Sequence, residues 1–304
     1  GLYLVQKIKQ ESGKKYSQIV LKQMKKPDNP AELLKDPIQL KNGEGTILGY
    51  YGSYADAFER IKTENNADAT YTVTNLVEWN FETTDQTALT EIEGKAKSII
   101  FTGGERPDED GKAGNRYRLR LRPQTITMPK DVDVTFQNIP LKYDQGLEKR
   151  EINNGGTTVP YGNAVFVGNG GKLIFDNVTF LSHYDADMYP VVYGGTENGK
   201  AAGSTSSIEV HGDHIFTSIY NYDDLQIVSG TTEVKEELNA QTDNVTADNQ
   251  GYEGVTRIAA DATLLLSNGT TTKKAGSLKG ATALNTLAQG SNTLGELKIK
   301  RPSG

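Results

Sequence analysis

A short pattern of apolar and polar positions recurs along the second half of the chain. An apolar residue is followed by a polar, glycine-rich step, a second apolar residue, and a small amide or hydroxyl residue two positions later. The copies are Met128…Phe136-Gln137-Asn138, Val167…Phe175-Asp176-Asn177, Ile258…Leu266-Ser267-Asn268 and the shorter Val210…Phe216-Thr217-Ser218. A unit of this size cannot bury its own apolar face, so its copies must stack on one another. The pattern therefore predicts a β-solenoid.

The spacing of the repeat predicts which residues stack. Phe136, Phe175 and Phe216 follow one another at steps of 39 and 41 residues, so we expect the copies that carry them to lie above one another. The Asn or Ser residue after each of them would then form a polar ladder inside the turns. Such a ladder satisfies backbone groups that burial would otherwise leave without hydrogen bonds.

Short runs that alternate in polarity, or are wholly apolar, predict eleven strands. They lie at Tyr71–Val77, Ser98–Thr102, Tyr117–Leu121, Val132–Phe136, Ala164–Val167, Leu173–Phe175, Ile208–Val210, Ile215–Thr217, Leu225–Val228, Thr256–Ile258 and Thr263–Leu266. Between them are polar loops, chiefly at 142–162, 182–206 and 235–253. Because these loops occur once per repeat, we expect them on one face of the solenoid, where such folds usually bind ligands.

One helix is predicted before the strands begin. Ser53 has the character of an N-cap, with Asp56 three residues later, and the helix should end near Asn65-Asn66. Its apolar face is formed by Tyr54, Ala57, Phe58 and Ile61. We expect this helix to cover the open end of the sheet, which would otherwise invite edge pairing. The next convincing helical pattern is Ala281–Leu287.

Residues 1–44 differ from the rest of the chain. They are rich in lysine, and Ile19, Val20 and Met24 predict a short helix. Pro27, Pro30 and Pro37 then interrupt regular structure. We interpret 1–44 as a basic flank that packs on the solenoid formed by 45–304, with a separate module as the alternative.

Three segments carry a resemblance to a known family. They are AVFVGNGGKLIFDNVTF (164–180), VDVTFQNIPL (132–141) and GSYADAFERI (52–61). They resemble the pectate-lyase-like adhesive domains of Gram-positive wall-anchored proteins, and are similar to the binding regions of serine-rich repeat adhesins. The resemblance covers about residues 45–300. It implies an all-β fold, a right-handed parallel β-helix, that binds polysaccharide, mucin or matrix protein at the cell surface, usually without catalysis.

Composition limits the partners. The net charge of −6 argues against nucleic acid as the main partner. No apolar run is long enough to span a bilayer, so we expect no membrane insertion. The 304 residues contain no cysteine, which fits an extracellular Gram-positive origin. The absence of an initiator Met, signal peptide or anchor suggests an excised ectodomain fragment.

A basic stripe is the first candidate binding feature. Arg116, Arg118, Arg120 and Arg122 alternate with Tyr117, Leu119 and Leu121. In a strand, this alternation places the four guanidinium groups on one face. Either a polyanionic ligand or the chain's own acids must compensate these charges, and the candidate acids are Asp108, Glu109, Asp110 and Glu151.

A cluster of aromatic and acidic residues in the loops is the second candidate. Asp144, His183 and Asp224 each follow Phe136, Phe175 or Phe216 by eight residues, so they should lie near one another. Further residues of the same kind surround them, namely Tyr143, Tyr184, Asp185, Asp187, Tyr189, Tyr193, Tyr220, Tyr222 and Asp223. Aromatic rings and carboxylates together suit sugars or protein partners. The alternative is that the tyrosines only pack the loops onto the solenoid.

Metal binding and catalysis have weaker support. Asp108-Glu109-Asp110 and Asp185-Ala186-Asp187 have oxygen spacings that a structural Ca²⁺ could use, but neither has the full calcium-loop pattern. With three histidines and no cysteine, zinc is not expected. The chain lacks the R-x-P-x-x-R segment of pectate lyases, and His211-Gly212 precedes Asp223-Asp224, opposite to the order in pectin hydrolases. Asp213-His214 is interpreted as a turn acid followed by a strand residue.

The function expected from the sequence is adhesion. A surface-displayed, non-enzymatic module would bind acidic polysaccharide, mucin or a matrix glycoprotein, with the arginines on acidic groups and the tyrosines on sugar rings or apolar protein surface. A polysaccharide lyase or glycoside hydrolase is the first alternative, because Asp185, Asp187, Asp223 and Asp224 could converge. A structural stalk without a site is the second.

Overall fold

The computed structural model describes residues 3–10, 17–23, 35–107, 113–143, 152–154, 157–159, 164–182, 189–195, 207–220, 224–238, 255–259, 262–266 and 297–300. These residues form mainly β-strands, with two helices, α1 (Tyr54–Glu64) and α2 (Thr83–Thr90). Neither of these described helices has the length and hydropathy of a membrane-spanning segment.

The largest sheet has eleven strands. Its members are β3 (Ile38–Asn42), β4 (Ile47–Tyr51), β5 (Thr70–Asn75), β6 (Trp79–Phe81), β7 (Ser98–Gly103), β10 (Leu119–Leu121), β12 (Asp133–Tyr143), β16 (Lys172–Ser182), β18 (Ser207–His211), β20 (Asp224–Ile227) and β22 (Val255–Ile258). The order is β22-β20-β18-β16-β12-β7-β5-β3-β4, and β10 joins β12 to β6. Every pairing from β5 to β22 is parallel.

A second sheet has seven strands in the order of the chain. They are β11 (Thr125–Thr127), β15 (Val165–Val167), β17 (Val191–Tyr193), β19 (His214–Tyr220), β21 (Thr231–Leu238), β23 (Thr263–Leu266) and β24 (Leu297–Lys300). The first six are parallel, and β24 is antiparallel to β23. Three hairpins complete the described strands: β1 (Tyr3–Gln10) with β2 (Ser17–Gln23), β8 (Glu105–Pro107) with β9 (Ala113–Arg116), and β13 (Ile152–Asn154) with β14 (Thr157–Val159).

All eleven strands predicted from the sequence overlap strands of the structure. From β11 to β23 the chain alternates between the two large sheets, apart from the β13–β14 hairpin. In strands such as β5, β7 and β10, alternate residues point inward. Phe101, Phe136 and Phe175 lie in register on neighbouring strands, with ring centroids 5.1 and 5.9 Å apart. Phe166 of the second sheet packs on Phe136 and Phe175, so the core lies between the sheets.

The prediction that Phe216 stacks on Phe175 along one sheet is wrong. Phe175 pairs with Val210 in the large sheet, whereas Phe216 lies in the seven-stranded sheet opposite Val234. The two phenylalanine rings still meet, at 5.4 Å between centroids, but across the core. In the earlier copies the chain passes from the seven-stranded sheet, at Met128 and Val167, into the large sheet, whereas between Val210 and Phe216 it passes from the large sheet into the seven-stranded sheet.

The expected asparagine ladder is present at one step and lies at the surface. Asn138 and Asn177 both have left-handed backbones, with φ of 49° and 52°, and bend β12 and β16. The Asn177 Nδ2 group donates to Asn138 Oδ1 at 2.8 Å in an exposed position, not inside the turns. Ser218 does not continue the ladder, because it pairs with Val191 in the other sheet. Asn268 lies outside the described residues.

The predicted helix is confirmed, including its ends. The Ser53 hydroxyl accepts from the Asp56 backbone N–H at 3.1 Å, and Asn65 ends α1 in a left-handed conformation. Its apolar face, Tyr54, Ala57, Phe58 and Ile61, is fully buried. The helix covers one end of the hydrophobic core. The free edge of β5 is covered by the antiparallel hairpin of β3 and β4. The helix α2 was not predicted from the sequence. The predicted helix at Ala281–Leu287 lies outside the described residues.

The N-terminal segment contains strands. Ile19 and Val20 lie in β2, paired antiparallel to β1, so the short helix predicted around them is wrong. Both residues are β-branched, which favours a strand once a partner is present. The assigned boundary at residue 44 falls in the turn between β3 and β4, and β3 pairs with β5 of the main sheet.

Candidate functional site

Several residues of the expected loop cluster fall outside the described part of the chain. They are Asp144, His183, Tyr184, Asp185, Asp187, Tyr222 and Asp223. The expected Ca²⁺ ligands Asp108, Glu109 and Asp110 are also outside it. Within the described residues, no three His, Asp or Glu side chains form a group that could hold a metal ion.

Tyr143 does not belong to a surface site, contrary to the expectation from the sequence. Its side chain points into the core from the end of β12 and is 4 % exposed. It pairs in register with Leu121 of β10, which is also buried. Burial raises the pKa of the Tyr143 hydroxyl well above its ordinary value. The alternation along β12 explains this, because Ile139, Leu141 and Tyr143 share one face.

The arginine stripe is compensated by acids of the chain itself. Arg120 contacts Glu78 as an ion pair, and Arg122 Nε lies 3.9 Å from Glu82 Oε1. Arg116 Nη1 donates to the Gly103 carbonyl at 3.1 Å, and its Nη2 is 3.6 Å from Glu105 Oε1. These acids are Glu78, Glu82 and Glu105, not those expected from the sequence, of which Asp108, Glu109, Asp110 and Glu151 lie outside the described residues.

The four arginines also do not share a single strand. Arg120 lies between the buried Leu119 and Leu121 in β10, as the alternation predicts. Arg116 belongs to β9, which pairs with β8 instead. Arg118 lies between β9 and β10, and its carbonyl accepts from Asn75 Nδ2 and the Trp79 backbone N–H. These contacts favour the internal ion-pair interpretation of the stripe.

Asp224 lies on the outer face of the large sheet. Its Oδ1 accepts from Arg257 Nε at 3.0 Å, and its Oδ2 accepts from Gln226 Nε2 at 2.6 Å. In register it lies beside Ser207 and Val255. Nearby on the same face, Lys172 Nζ donates to Glu209 Oε1 at 2.6 Å. These paired charges form a solvated ladder between strands.

Tyr193 and Tyr220 form a stacked pair on the outside of the seven-stranded sheet. They occupy paired positions of β17 and β19, and their ring centroids are 4.8 Å apart at an angle of 20°. Each ring therefore covers a face of the other. This arrangement matches the packing alternative for these tyrosines better than the stacking of sugars.

Tyr189 lines a cleft of about 360 Å³, which we call the Tyr189 cleft. Four separate segments meet there: β16 after its bend, the residues before β17, the turn between β18 and β19, and β21. The lining residues are Val178, Thr179, Phe180, Tyr189, Asp213, His214, Ile215, Thr231 and Glu233. The volume lies within the range of small-molecule sites in proteins.

Hydrogen bonds fix the backbone around Tyr189. The Thr217 hydroxyl donates to the Tyr189 carbonyl at 2.7 Å, and the Thr217 backbone N–H donates to the Pro190 carbonyl at 2.9 Å. Lys235 Nζ lies 5.3 Å from the centre of the Tyr189 ring and 3.6 Å from Glu233 Oε1. The Tyr189 ring thus lies beside Lys235 and lines the same cleft as the carboxylates of Asp213 and Glu233.

The part of the cleft lined by Asp213 and Thr231 depends on a tight turn. Asp213 Oδ1 accepts from the Thr231 backbone N–H at 2.7 Å. The Gly212 backbone N–H donates to Ser229, both to the hydroxyl at 2.9 Å and to the carbonyl at 3.2 Å. Gly230 has a φ of 69°, and a Cβ there would lie 2.5 Å from the Gly212 carbonyl carbon. This close approach requires glycine.

His214 forms the buried base of the cleft. Its Nε2 accepts from the Val178 backbone N–H at 3.1 Å, and its Nδ1 lies 3.2 Å from the Gly212 carbonyl. The ring stacks on Phe216. Burial lowers the pKa of His214 below its ordinary value, against the opposing effects of its hydrogen bond to Gly212 and of the nearby carboxylates. The imidazole is therefore neutral at physiological pH.

The cleft combines an apolar base with polar groups at its rim. Val178, Phe180 and Ile215 supply apolar surface, and Asp213 and Glu233 supply acceptors. Such a surface can contact the C–H face of a sugar ring while its carboxylates accept hydroxyl hydrogen bonds. The interpretation of Asp213-His214 as a turn acid and a strand residue is confirmed. The sequence did not reveal that these residues share a cleft with Glu233 and Tyr189.

No protein-family model, no curated protein and no solved structure matches the chain. The site must therefore be interpreted from its own geometry and chemistry.

Proposed function

We propose that this protein is a cell-surface adhesion module that binds glycans of polysaccharide, mucin or matrix glycoprotein in the Tyr189 cleft. The fold that would carry the site is a right-handed parallel β-helix, similar to the adhesive domains of Gram-positive wall-anchored proteins. The alternation of the chain between two parallel sheets supports this architecture. An extracellular location is part of the proposal.

One observation carries the proposal: an aromatic side chain, two carboxylates and two threonines line one cleft over an apolar base. Sugars offer an apolar C–H face and many hydroxyl donors, and Tyr189 with Asp213 and Glu233 matches both. The hydrogen bonds from Thr217 fix the backbone that carries the Tyr189 ring before a ligand arrives. A site prepared in this way loses little conformational entropy on binding.

The cleft is a better candidate than the arginine stripe. A polyanion at the stripe would have to displace Glu78 and Glu82 from Arg120 and Arg122. The cleft presents two carboxylates, Asp213 and Glu233, against the single ammonium group of Lys235 beside Glu233, and the excess negative charge repels acidic groups. Among the ligands considered from the sequence, we therefore favour the neutral sugars of a polysaccharide or a mucin over acidic groups.

The test is binding to immobilised polysaccharides, mucin and fibronectin. We expect wild-type protein to bind a glycan-bearing surface and Tyr189→Ala to lose that binding. The matched control is Tyr50→Ala, because Tyr50 is an exposed tyrosine on β4, far along the sheet order from the cleft. Equal binding by wild type and Tyr189→Ala would reject the cleft, and no binding to any surface would favour a structural stalk.

A glycoside hydrolase is a second candidate, because Asp213 and Glu233 line the same cleft. Two carboxylates across a sugar are the usual catalytic pair of such enzymes. New reducing ends released from a bound polysaccharide, and lost in Glu233→Gln, would establish this activity. If the protein binds the polysaccharide but releases no reducing ends at high protein concentration, the result would favour the adhesion module over the hydrolase.

A further inference from the structure

The hydrogen bonds of His214 specify one protonation state. A backbone N–H can only donate, so His214 Nε2 must accept from Val178 and carries no hydrogen. The Gly212 carbonyl can only accept, so Nδ1 carries the ring hydrogen and donates to it. Both partners are backbone atoms and cannot exchange roles. The imidazole is therefore held as the neutral Nδ1–H tautomer.

These two bonds join two walls of the Tyr189 cleft. Val178 directly follows the bend at Asn177 and lines the cleft on the side of β16. Gly212 opens the turn that places Asp213 in the cleft lining. The same turn is attached to β21 through the bond from the Thr231 N–H to Asp213. His214 thus joins β16 to the turn by side-chain hydrogen bonds, in addition to the strand pairing of β16 with β18 and of β19 with β21.

We propose that His214 is the positioning residue of the Tyr189 cleft and that its protonation releases the cleft wall, an inference that rests on the glycan-binding function proposed above. A proton added at Nε2 would face the Val178 N–H, so that two donors oppose each other. The Val178 bond is then lost. The imidazolium would also lie buried against the Phe216 and Phe180 rings, where a charge is unfavourable.

The groups around His214 set the direction of the effect. Asp176 on β16 and Asp213 in the turn favour the protonated ring, and His211 on β18 opposes it. Glu233 on β21 lines the same cleft. Burial outweighs the carboxylates and lowers the pKa of His214. Its contribution to stability is therefore full above its ordinary pKa of 6.5 and is lost as the pH falls through the lowered value.

Nuclear magnetic resonance of the intact chain tests this without a ligand. We expect the ring ¹⁵N shifts of His214 to report the Nδ1–H tautomer at neutral pH. As the pH falls from about 8 to about 5 and below, the hydrogen-exchange protection factor of the Val178 amide should drop as the ring protonates. The internal control is the Phe175 amide on the same strand, which is buried and does not bond to His214.

The matched variant is His214→Gln, whose amide offers an acceptor and a donor but does not titrate in this range. We expect its Val178 protection to be independent of pH. Two results overturn the proposal: Nε2 protonated at neutral pH, or Val178 protection that does not change while the ring titrates. Both use the wild-type protein, so they apply even if the variant does not fold.

Binding to immobilised mucin separates this proposal from the proposed function. We expect wild-type binding to be lost on acidification, whereas the binding that His214→Gln retains should not depend on pH over the same range. Binding by wild type that does not change while Val178 loses protection would overturn the link between His214 and the cleft. Absence of mucin binding at every pH would count against the proposed function, while the exchange measurement would still decide the role of His214.

Discussion

Asp85 Oδ1 accepts a hydrogen bond from the backbone N–H of Ala55 at 2.8 Å, although the two residues are thirty positions apart in the chain. Ala55 lies in α1 and Asp85 in α2. Its other oxygen accepts from the Glu82 N–H at 2.8 Å. One buried carboxylate thus occupies the N-terminal ends of both α1 and α2, where the helix dipoles favour negative charge. This contact holds the two helices together over the end of the core.

Replacing Asp85 by Ala should destabilise the fold, because two helix N–H groups lose their acceptor. We expect a loss of about 1–3 kcal/mol in the free energy of unfolding. Fluorescence of Trp79, the single tryptophan, can follow unfolding in urea. Asp68→Ala, at an exposed turn, is the control and should change stability little. Equal stabilities for the two variants would contradict the bridging role of Asp85.

Asp85 also gives a pH dependence of defined sign. Burial raises the pKa of Asp85, although its bonds to Glu82 and Ala55 act in the opposite direction. An acid with a raised pKa in the folded state contributes stability below its ordinary value of 3.8 that is lost as the pH rises through the raised value. As the pH rises through this acidic range, wild type should therefore lose stability relative to Asp85→Asn. Above this range the difference in stability between the two proteins should be constant.

The stacked phenylalanines of the core should be sensitive to truncation. Phe136 lies between Phe101 and Phe175 and is 1 % exposed. Phe136→Ala should lower the free energy of unfolding by about 3–5 kcal/mol, because it leaves a cavity between the sheets. Ile47→Ala is the control, since Ile47 is largely exposed on β4. A loss of less than about 1 kcal/mol at Phe136 would contradict the register of the stack.

Local patterns made the helix and the strands predictable, whereas contacts between distant segments were not. Ser53, Asp56 and Asn65 define α1 within a dozen residues, and strand alternation needs only a few positions. The position of Phe216 depends on which sheet its copy of the repeat starts from, which the repeat spacing alone did not indicate.

The candidate site shows the same limit. Val178, Tyr189, Asp213 and Glu233 lie far apart in sequence, and their meeting depends on the register of strands in both sheets. Tyr189 was identified as a candidate from its residue type. Tyr143 was assigned to the same group because it is a tyrosine near a loop. It is buried because it lies on the face of β12 that points into the core.

Gly230 and Gly45 allow a comparison of two glycines with left-handed backbones. Both have positive φ, but a Cβ at Gly230 would meet the Gly212 backbone, whereas Gly45 has open space. Gly45→Ala should lose about 1–2 kcal/mol from the backbone conformation alone. Gly230→Ala should lose more and should also weaken glycan binding, since the turn beside the cleft must move. Equal thermal stabilities of the two variants would contradict the close approach of this turn.

The ion pairs of the arginine stripe should contribute little to stability and nothing to binding. Arg120 and Glu78 are partly solvent-exposed, so Arg120→Ala should change the free energy of unfolding by about 0–1 kcal/mol. We expect Arg118→Ala combined with Arg120→Ala to leave glycan binding and its salt dependence unchanged. If this double variant bound glycans more weakly and with less dependence on salt, the result would instead support the arginine stripe as a binding site for polyanions.

The most direct test of glycan binding in the Tyr189 cleft is amide shift mapping with oligosaccharides released from mucin. We expect the amides of Thr179, Thr231 and Glu233 to shift in a saturable way, and those of Arg120 and Tyr50 to stay unchanged. In Tyr189→Ala the shifts should disappear while the rest of the spectrum is retained. Shifts confined to the arginine stripe, or their persistence in Tyr189→Ala, would contradict binding in the cleft.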